Sequence, residues 1–105
     1  MKTEQPTATV TVKIYTKDIF IPVDAADKIG ARAGSVLLFR TDEDEGRIEI
    51  AVGQELEDSS GFTLSTNNGQ LRASNAMLRA IPKGEYTVKN PEFDGELDWF
   101  ELVRV

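Results

Sequence analysis

The sequence predicts an all-β domain with short helices, assembled from two tandem ββαββ repeats. Three observations lead there. Apolar and polar residues alternate with the period of a strand in several short runs, turn residues separate those runs at close intervals, and the pattern after residue 61 repeats the one before residue 53. At a shift of fifty positions, Val12, Ile14, Thr16, Ile21, Gly34, Val36 and Leu38 fall on Phe62, Leu64, Thr66, Leu71, Gly84, Tyr86 and Val88 without a gap. A length of 105 residues leaves room for one core rather than two. Residues 1–105 are therefore expected to form a single domain, with a first unit over 9–52, a linker over 53–61 and a second unit over 62–105.

In the first unit, Val10, Val12 and Ile14 alternate with polar neighbours over Thr9 to Thr16, which reads as a strand with one buried face. Lys17 and Asp18 make a short connection to a second strand through Ile19 and Ile21, and Pro22 ends its pairing because it has no amide hydrogen to donate. Asp24 is expected to cap a short helix through Ile29, with Gly30 supplying the left-handed stop. From Ser35 to Arg40 both faces are apolar, which predicts a central strand. Thr41 to Gly46 is an acidic hairpin tip, and Arg47 to Val52 returns through Ile48, Ile50 and Val52.

The segment from Gly53 to Gly61 is polar and turn-rich, as a linker is. In the second unit Phe62 and Leu64 form the first strand, Thr66 to Gly69 a turn, and Leu71 opens the next strand. Ser74 is expected to cap a helix over Asn75 to Ile81, followed by a turn at Pro82-Lys83-Gly84 and a strand through Tyr86 and Val88. Asn90 to Gly95 reads as the far loop. Leu97 to Val105 carries apolar residues on both faces, Leu97, Trp99, Val103 and Val105 against Phe100 and Leu102, and is expected to be heavily buried. Its register against the first unit stays open: Gly46 and Gly95 align at forty-nine, Ile50 and Leu102 at fifty-two.

Composition narrows the function. With 40% hydrophobic and 29% charged residues the chain should fold. It has no cysteine and no histidine, which removes thiolate and imidazole nucleophiles, bases and metal ligands together. Any catalysis would rest on carboxylates, lysine or tyrosine, and no pair of acids stands apart from ordinary surface acids, so a non-enzymatic binding domain without cofactor or metal is expected. The acidic run Asp42-Glu43-Asp44-Glu45-Gly46 fails the calcium-loop spacing, because the required glycine would fall on Arg47. No apolar run approaches the roughly 18 residues of a membrane-spanning helix, and Met1 to Ala8 is polar, so a cytoplasmic protein without membrane contact is expected.

The run from Ile19 to Val52, with Ile21-Pro22, Ile29-Gly30, Gly34 and Glu45-Gly46 at its corners, resembles the AbrB/SpoVT-type swapped-hairpin family of transition-state regulators and MazE-type antitoxins. The resemblance implies a pseudo-dimeric swapped-hairpin β-barrel, in which two interlocked units bury what one unit of that size cannot. It implies either a monomeric pseudo-dimer or a homodimer. The second unit departs from the pattern, with Leu71-Arg72 in place of Ile-Pro and Ala80 in place of the helix-ending glycine.

The resemblance also implies a DNA-binding regulator or antitoxin-like module whose first hairpin and short helix face double-stranded DNA. Against this, the formal net charge is −6, and phosphate contact needs cations. The charge is divided, however. Residues 1–40 hold six basic and four acidic residues and 61–91 hold four and one, whereas 41–60 hold one basic and eight acidic and 92–105 one and five. If the halves are symmetric, the two positive stretches gather on one side and the two acidic tips on the other. The candidates for phosphate contact are Lys13, Lys17, Lys28, Arg32, Arg72, Arg79 and Lys83, with Arg72 and Arg79 also suited to guanine edges. The alternative is a protein-interaction or inhibitor module that takes a basic partner through Asp42, Glu43, Asp44 and Glu45. Trp99 and Phe100 are read as core rather than as an interface anchor.

Overall fold

The alternation at Val12, Ile14, Ile19 and Ile21 forms an antiparallel hairpin of β1 (Thr11–Ile14) and β2 (Asp18–Ile21), with Ile14 opposite Ile19 and all four side chains fully buried. A computed structural model describes residues 10–42, 46–53, 62–74 and 76–105; the expected strand start at Thr9, the linker residues 54–61 and Asn75 lie outside the described residues. β2 stops at Ile21, as Pro22 requires. Helix α1 (Val23–Ile29) follows, with Pro22 rather than Asp24 at the N-cap and the Ala26 amide donating to the Pro22 carbonyl at 2.8 Å. The proline corner starts the helix before Asp24 can cap it, which corrects the expectation. Gly30 closes α1 in the left-handed region at φ 76°, where a side chain would be strained.

β3 (Val36–Asp42) and β4 (Arg47–Gly53) form the next hairpin, paired from Val36–Gly53 out to Asp42–Arg47. β5 (Phe62–Thr63) pairs with β3, and β6 (Ser65–Asn67) pairs with β7 (Gln70–Ser74) across the turn residues Asn68 and Gly69. Both have positive φ, 52° and 82°, the backbone that the tightest hairpins need. The expected helix after Ser74 is instead a 3-10 turn over Ala76–Ala80. Ser74 stays in β7 and spends its hydroxyl on Asp18, so it does not cap, and Pro82 disfavours α geometry at Ile81.

β8 (Gly84–Phe93) and β9 (Asp98–Arg104) complete the sheet. Asn90 to Phe93, expected as loop, belong to β8: a register irregularity between Val88 and Pro91 absorbs the proline and pairing resumes as far as Phe93–Asp98. The described strands form one antiparallel sheet in the order β5-β3-β4-β9-β8-β1-β2-β7-β6. The sheet curls, because its two end strands are consecutive in the chain and separated by Leu64 alone. The Leu64 amide donates to the Ser35 carbonyl, and the Leu64 carbonyl accepts from the Gly34 amide, both at 2.8 Å. β3, expected to be central, is thus next to a two-residue strand near one end of the order, and β9 takes the middle.

Hairpins, not single strands, of the two halves alternate in this order. β1 pairs with β8, β3 with β5, β2 with β7 and β4 with β9. The inward faces enclose a core that includes Val12, Ile14, Ile19, Ile21, Leu37, Ile50, Leu64 and Leu78. A second cluster of Leu38, Ala51 and Trp99 sits on the other face of β3, β4 and β9, flanked by Val36 and Leu97. Phe100 and Leu102 enter the main core and Trp99 the second, as their alternation requires. The second cluster ends there, so Val103 and Val105 are 39% and 78% exposed, and the last strand is buried over only part of its length. Among the described residues no helix is long and apolar enough to cross a membrane.

Candidate nucleic-acid interface

Residues directly opposite one another in an antiparallel pair share a face. The registers Glu85–Lys13, Lys13–Phe20, Phe20–Arg72 and Arg72–Ser65 therefore make one row across the outward face of β8, β1, β2, β7 and β6. Five strands at about 4.8 Å spacing extend roughly 19 Å. Phe20 sits in the middle, with Lys13 from the first half on one side and Arg72 from the second on the other. The Arg72 guanidinium lies 5.9 Å from the Phe20 ring centre, and Tyr15 meets Phe20 edge to face at 5.5 Å and 75°. A cavity of about 260 Å³ opens here, lined by Lys13, Tyr15, Phe20, Pro22 and Gln70.

Of the cations on this face, Arg72 is paired. Arg72 Nη2 donates to Asp18 Oδ1 at 3.0 Å, and the Ser74 hydroxyl donates to the same oxygen. The Ser74 hydrogen bond, then the Arg72 bond and charge, hold the Asp18 carboxyl below its ordinary range despite opposing desolvation, with Lys17 adding a smaller share. Arg72 Nε is buried without a hydrogen-bond partner. At the other end of the row, Glu85 accepts a hydrogen bond from the Thr11 hydroxyl at 2.8 Å. Lys13 and Lys17 are exposed. Among the described residues neither forms an ion pair.

The remaining candidates lie elsewhere. Lys28, half-buried on α1, donates to the Val88 carbonyl at 2.9 Å, which ties the helix of one half to a strand of the other. Arg32 is exposed in the loop after α1, Arg79 at the end of the 3-10 turn and Lys83 in the turn before β8. The fold thus brings Lys13 and Arg72 to one face, with Lys17 in the β1–β2 turn, and places Lys28, Arg32, Arg79 and Lys83 on the two connections. Tyr15, Phe20 and Gln70 were absent from the sequence-derived set. The signal that could have found them is the even-numbered outward register of β2, which gives Phe20 the same face as Lys13.

The acidic tips do not gather on one side, contrary to the expectation. β4 and β9 run antiparallel, with Ile48 opposite Leu102 and Ile50 opposite Phe100, so the β3–β4 and β8–β9 hairpins point toward opposite ends of the sheet. Of the first tip, the backbone of Asp42 ends β3, and Glu43, Asp44 and Glu45 lie outside the described residues. At the second tip Glu92, Asp94, Glu96 and Asp98 are exposed. Asp94 is committed to the turn: its Oδ1 accepts the Leu97 amide at 2.8 Å and the Glu96 amide at 2.9 Å, and its Oδ2 accepts Trp99 Nε1 at 2.8 Å. These bonds, led by those from the two amides, pull its carboxyl below the ordinary range. The Arg40 guanidinium lies over the Trp99 ring, 4.0 Å from its centre, and its Nε donates to Glu49 at 2.9 Å.

Comparison with family models, with curated proteins and with solved structures finds no match for this chain.

Proposed function

We propose that the chain is a non-enzymatic binding domain of the AbrB/SpoVT type, a pseudo-dimeric swapped-hairpin barrel of two tandem units that contacts double-stranded DNA through the outward face of β1, β2 and β7. The swapped arrangement is supported by the exchange of strands between halves and by two cross-strand pairs, Ile21–Leu71 and Ile50–Phe100, whose members stand fifty positions apart. In an antiparallel pair related by a two-fold axis, equivalent residues meet at the axis, and fifty is the shift of the sequence repeat.

The observation that carries the DNA reading is the row Lys13–Phe20–Arg72, in which each half contributes one cation to a common face. Lys17 extends it at the hairpin turn, and Arg32, Arg79 and Lys83 supply phosphate contacts from the connections. Titration with duplex DNA at two salt concentrations tests this reading. Binding at low salt that weakens steeply at high salt is expected, since counterion release drives phosphate contact; no binding at low salt rejects it.

A second reading is favoured by the matching of Arg72 with Asp18 and by the exposed acids of the far hairpin: a basic protein partner held by the acidic tips, including Asp42 to Glu45. Neutralising those four residues should slow association at low salt, and an unchanged on-rate counts against it.

A further inference from the structure

At one end of the curl, the sheet leaves a mouth of about 650 Å³ between its inward face and the segment Ala80-Ile81-Pro82, a volume ordinary for small-molecule sites and a position where β-barrels commonly hold them. The floor follows from register. Ile48 opposes Leu102 across β4 and β9, and Tyr86 opposes Arg104 across β8 and β9, so these four share the inward face. Tyr86 donates its hydroxyl to the Pro82 carbonyl at 2.5 Å, which pins the wall to the floor and turns the ring, not the hydroxyl, toward the space. The Tyr86 phenol is accordingly pushed up by burial, with the Arg104 charge opposing.

Among the described residues the charged ones that line this mouth are Arg47, Glu101 and Arg104. Arg47 and Glu101 approach to 3.8 Å and offset each other. Arg104 has no ion-pair partner among the described residues. Its guanidinium lies against the backbone of Gly84, where a Cβ would come within 3.2 Å of Nε. An apolar floor and wall, with Arg104 at the edge as a cation without an ion pair among the described residues, define the chemistry of the occupant.

We infer that the mouth between β4, β8, β9 and the Ala80–Pro82 wall binds a small amphipathic monoanion, its apolar or aromatic body against Ile48, Ile81, Tyr86 and Leu102 and its anionic group on Arg104. The site uses the inward face and the sheet's open end, so it is independent of the outward row proposed for DNA.

The test is a fluorescence titration of the full chain at pH 7 with two probes of similar apolar body, the monoanion 1-anilinonaphthalene-8-sulfonate and the neutral N-phenyl-1-naphthylamine. One saturable site is expected for both, with amide NMR shifts concentrated at Tyr86 and Leu102. Arg104→Gln should weaken the anionic probe about tenfold, the size of a charge-assisted hydrogen bond, and leave the neutral probe within about twofold. Ala80→Trp, an exposed wall position where an indole fills the mouth, should weaken both at least about tenfold with an unchanged circular dichroism spectrum. Unsaturable binding, shifts spread through the core, equal loss of both probes in Arg104→Gln, or indifference to Ala80→Trp would each overturn the inference.

Discussion

Replacing Leu64 by alanine tests how the ends of the sheet are joined. Leu64 is 1% exposed, separates β5 from β6, and anchors that segment through two backbone hydrogen bonds to Gly34 and Ser35. The substitution removes three carbons, each contributing about 0.8 kcal/mol on burial, or roughly 2.4 kcal/mol. A site that cannot collapse adds up to about 2 kcal/mol for the cavity. The expected loss is therefore about 2.5–4.5 kcal/mol, a large part of the roughly 5–15 kcal/mol that a domain has in total. Urea unfolding followed by the single tryptophan, Trp99, measures it. The midpoint should fall with the slope unchanged, and the thermal midpoint should drop by roughly 10–36 °C at about 4–8 °C per kcal/mol. Val105→Ala, at a position 78% exposed, should change stability by no more than about 0.5 kcal/mol. A Leu64→Ala cost under about 1 kcal/mol would mean that the side chain is not enclosed and that β5 and β6 do not bridge β3 and β7, and the argument for closure would fail.

Trp99 emission should titrate in acid with a midpoint below the ordinary aspartate value, because Asp94 is held ionised by the turn amides and by the indole; stability from these bonds is present above the unfolded pKa and lost as pH falls through the lowered folded one, and Asp94→Asn should flatten the transition. In alkali the sign reverses for Tyr86: its raised pKa means that stability is full below the unfolded value near 10 and declines as pH rises through the folded value, a loss that Tyr86→Phe should remove when unfolding is followed across that range. Gly69→Ala puts a side chain at φ 82° in the β6–β7 turn and should cost about 1–2 kcal/mol by chemical denaturation. On the DNA reading, Asp18→Asn releases Arg72 from its carboxylate, so anisotropy titrations should show tighter duplex binding and a salt slope steeper by about 0.9; an unchanged slope removes Arg72 from the interface.

The local elements were legible where one principle acts alone. Alternation gave the strands through Val12, Ile14, Ile19, Ile21, Ile48 and Ile50; Gly30 marked the end of the helix, though its start lies at Pro22 and not at Asp24; and the turn expected over Thr66 to Gly69 narrows to Asn68 and Gly69, with Thr66 and Asn67 in β6. Reading failed where a distant partner decided the local outcome. Ser74 has the chemistry of a helix cap, but Asp18, 56 residues away, takes its hydroxyl. Pro91 looks like the end of a strand, yet an irregularity in pairing with β9 carries β8 past it to Phe93. Val103 and Val105 complete an apolar pattern whose partners on the outer face run out after Trp99.

The same distinction governs the candidate site. Summing charge over segments treats each cation as available, whereas register decides which ones are. Lys28 and Arg72 have the right residue types, but their partners, Val88 and Asp18, lie 60 and 54 positions away and are brought close only by the pairing of one half with the other. The acidic tips obey the same geometry: an antiparallel β4–β9 pair sends them to opposite ends, so two runs of like charge do not add into one field. What the fold presents is a row in which Glu85, Lys13, Phe20, Arg72 and Ser65 follow one another across five strands, and a separate mouth where Arg104 has no ion-pair partner among the described residues. Uncompensated charge, the quantity that selects a partner, is therefore a property of the pairing between halves, and the strength of any phosphate contact at Arg72 depends on how readily Asp18 yields it.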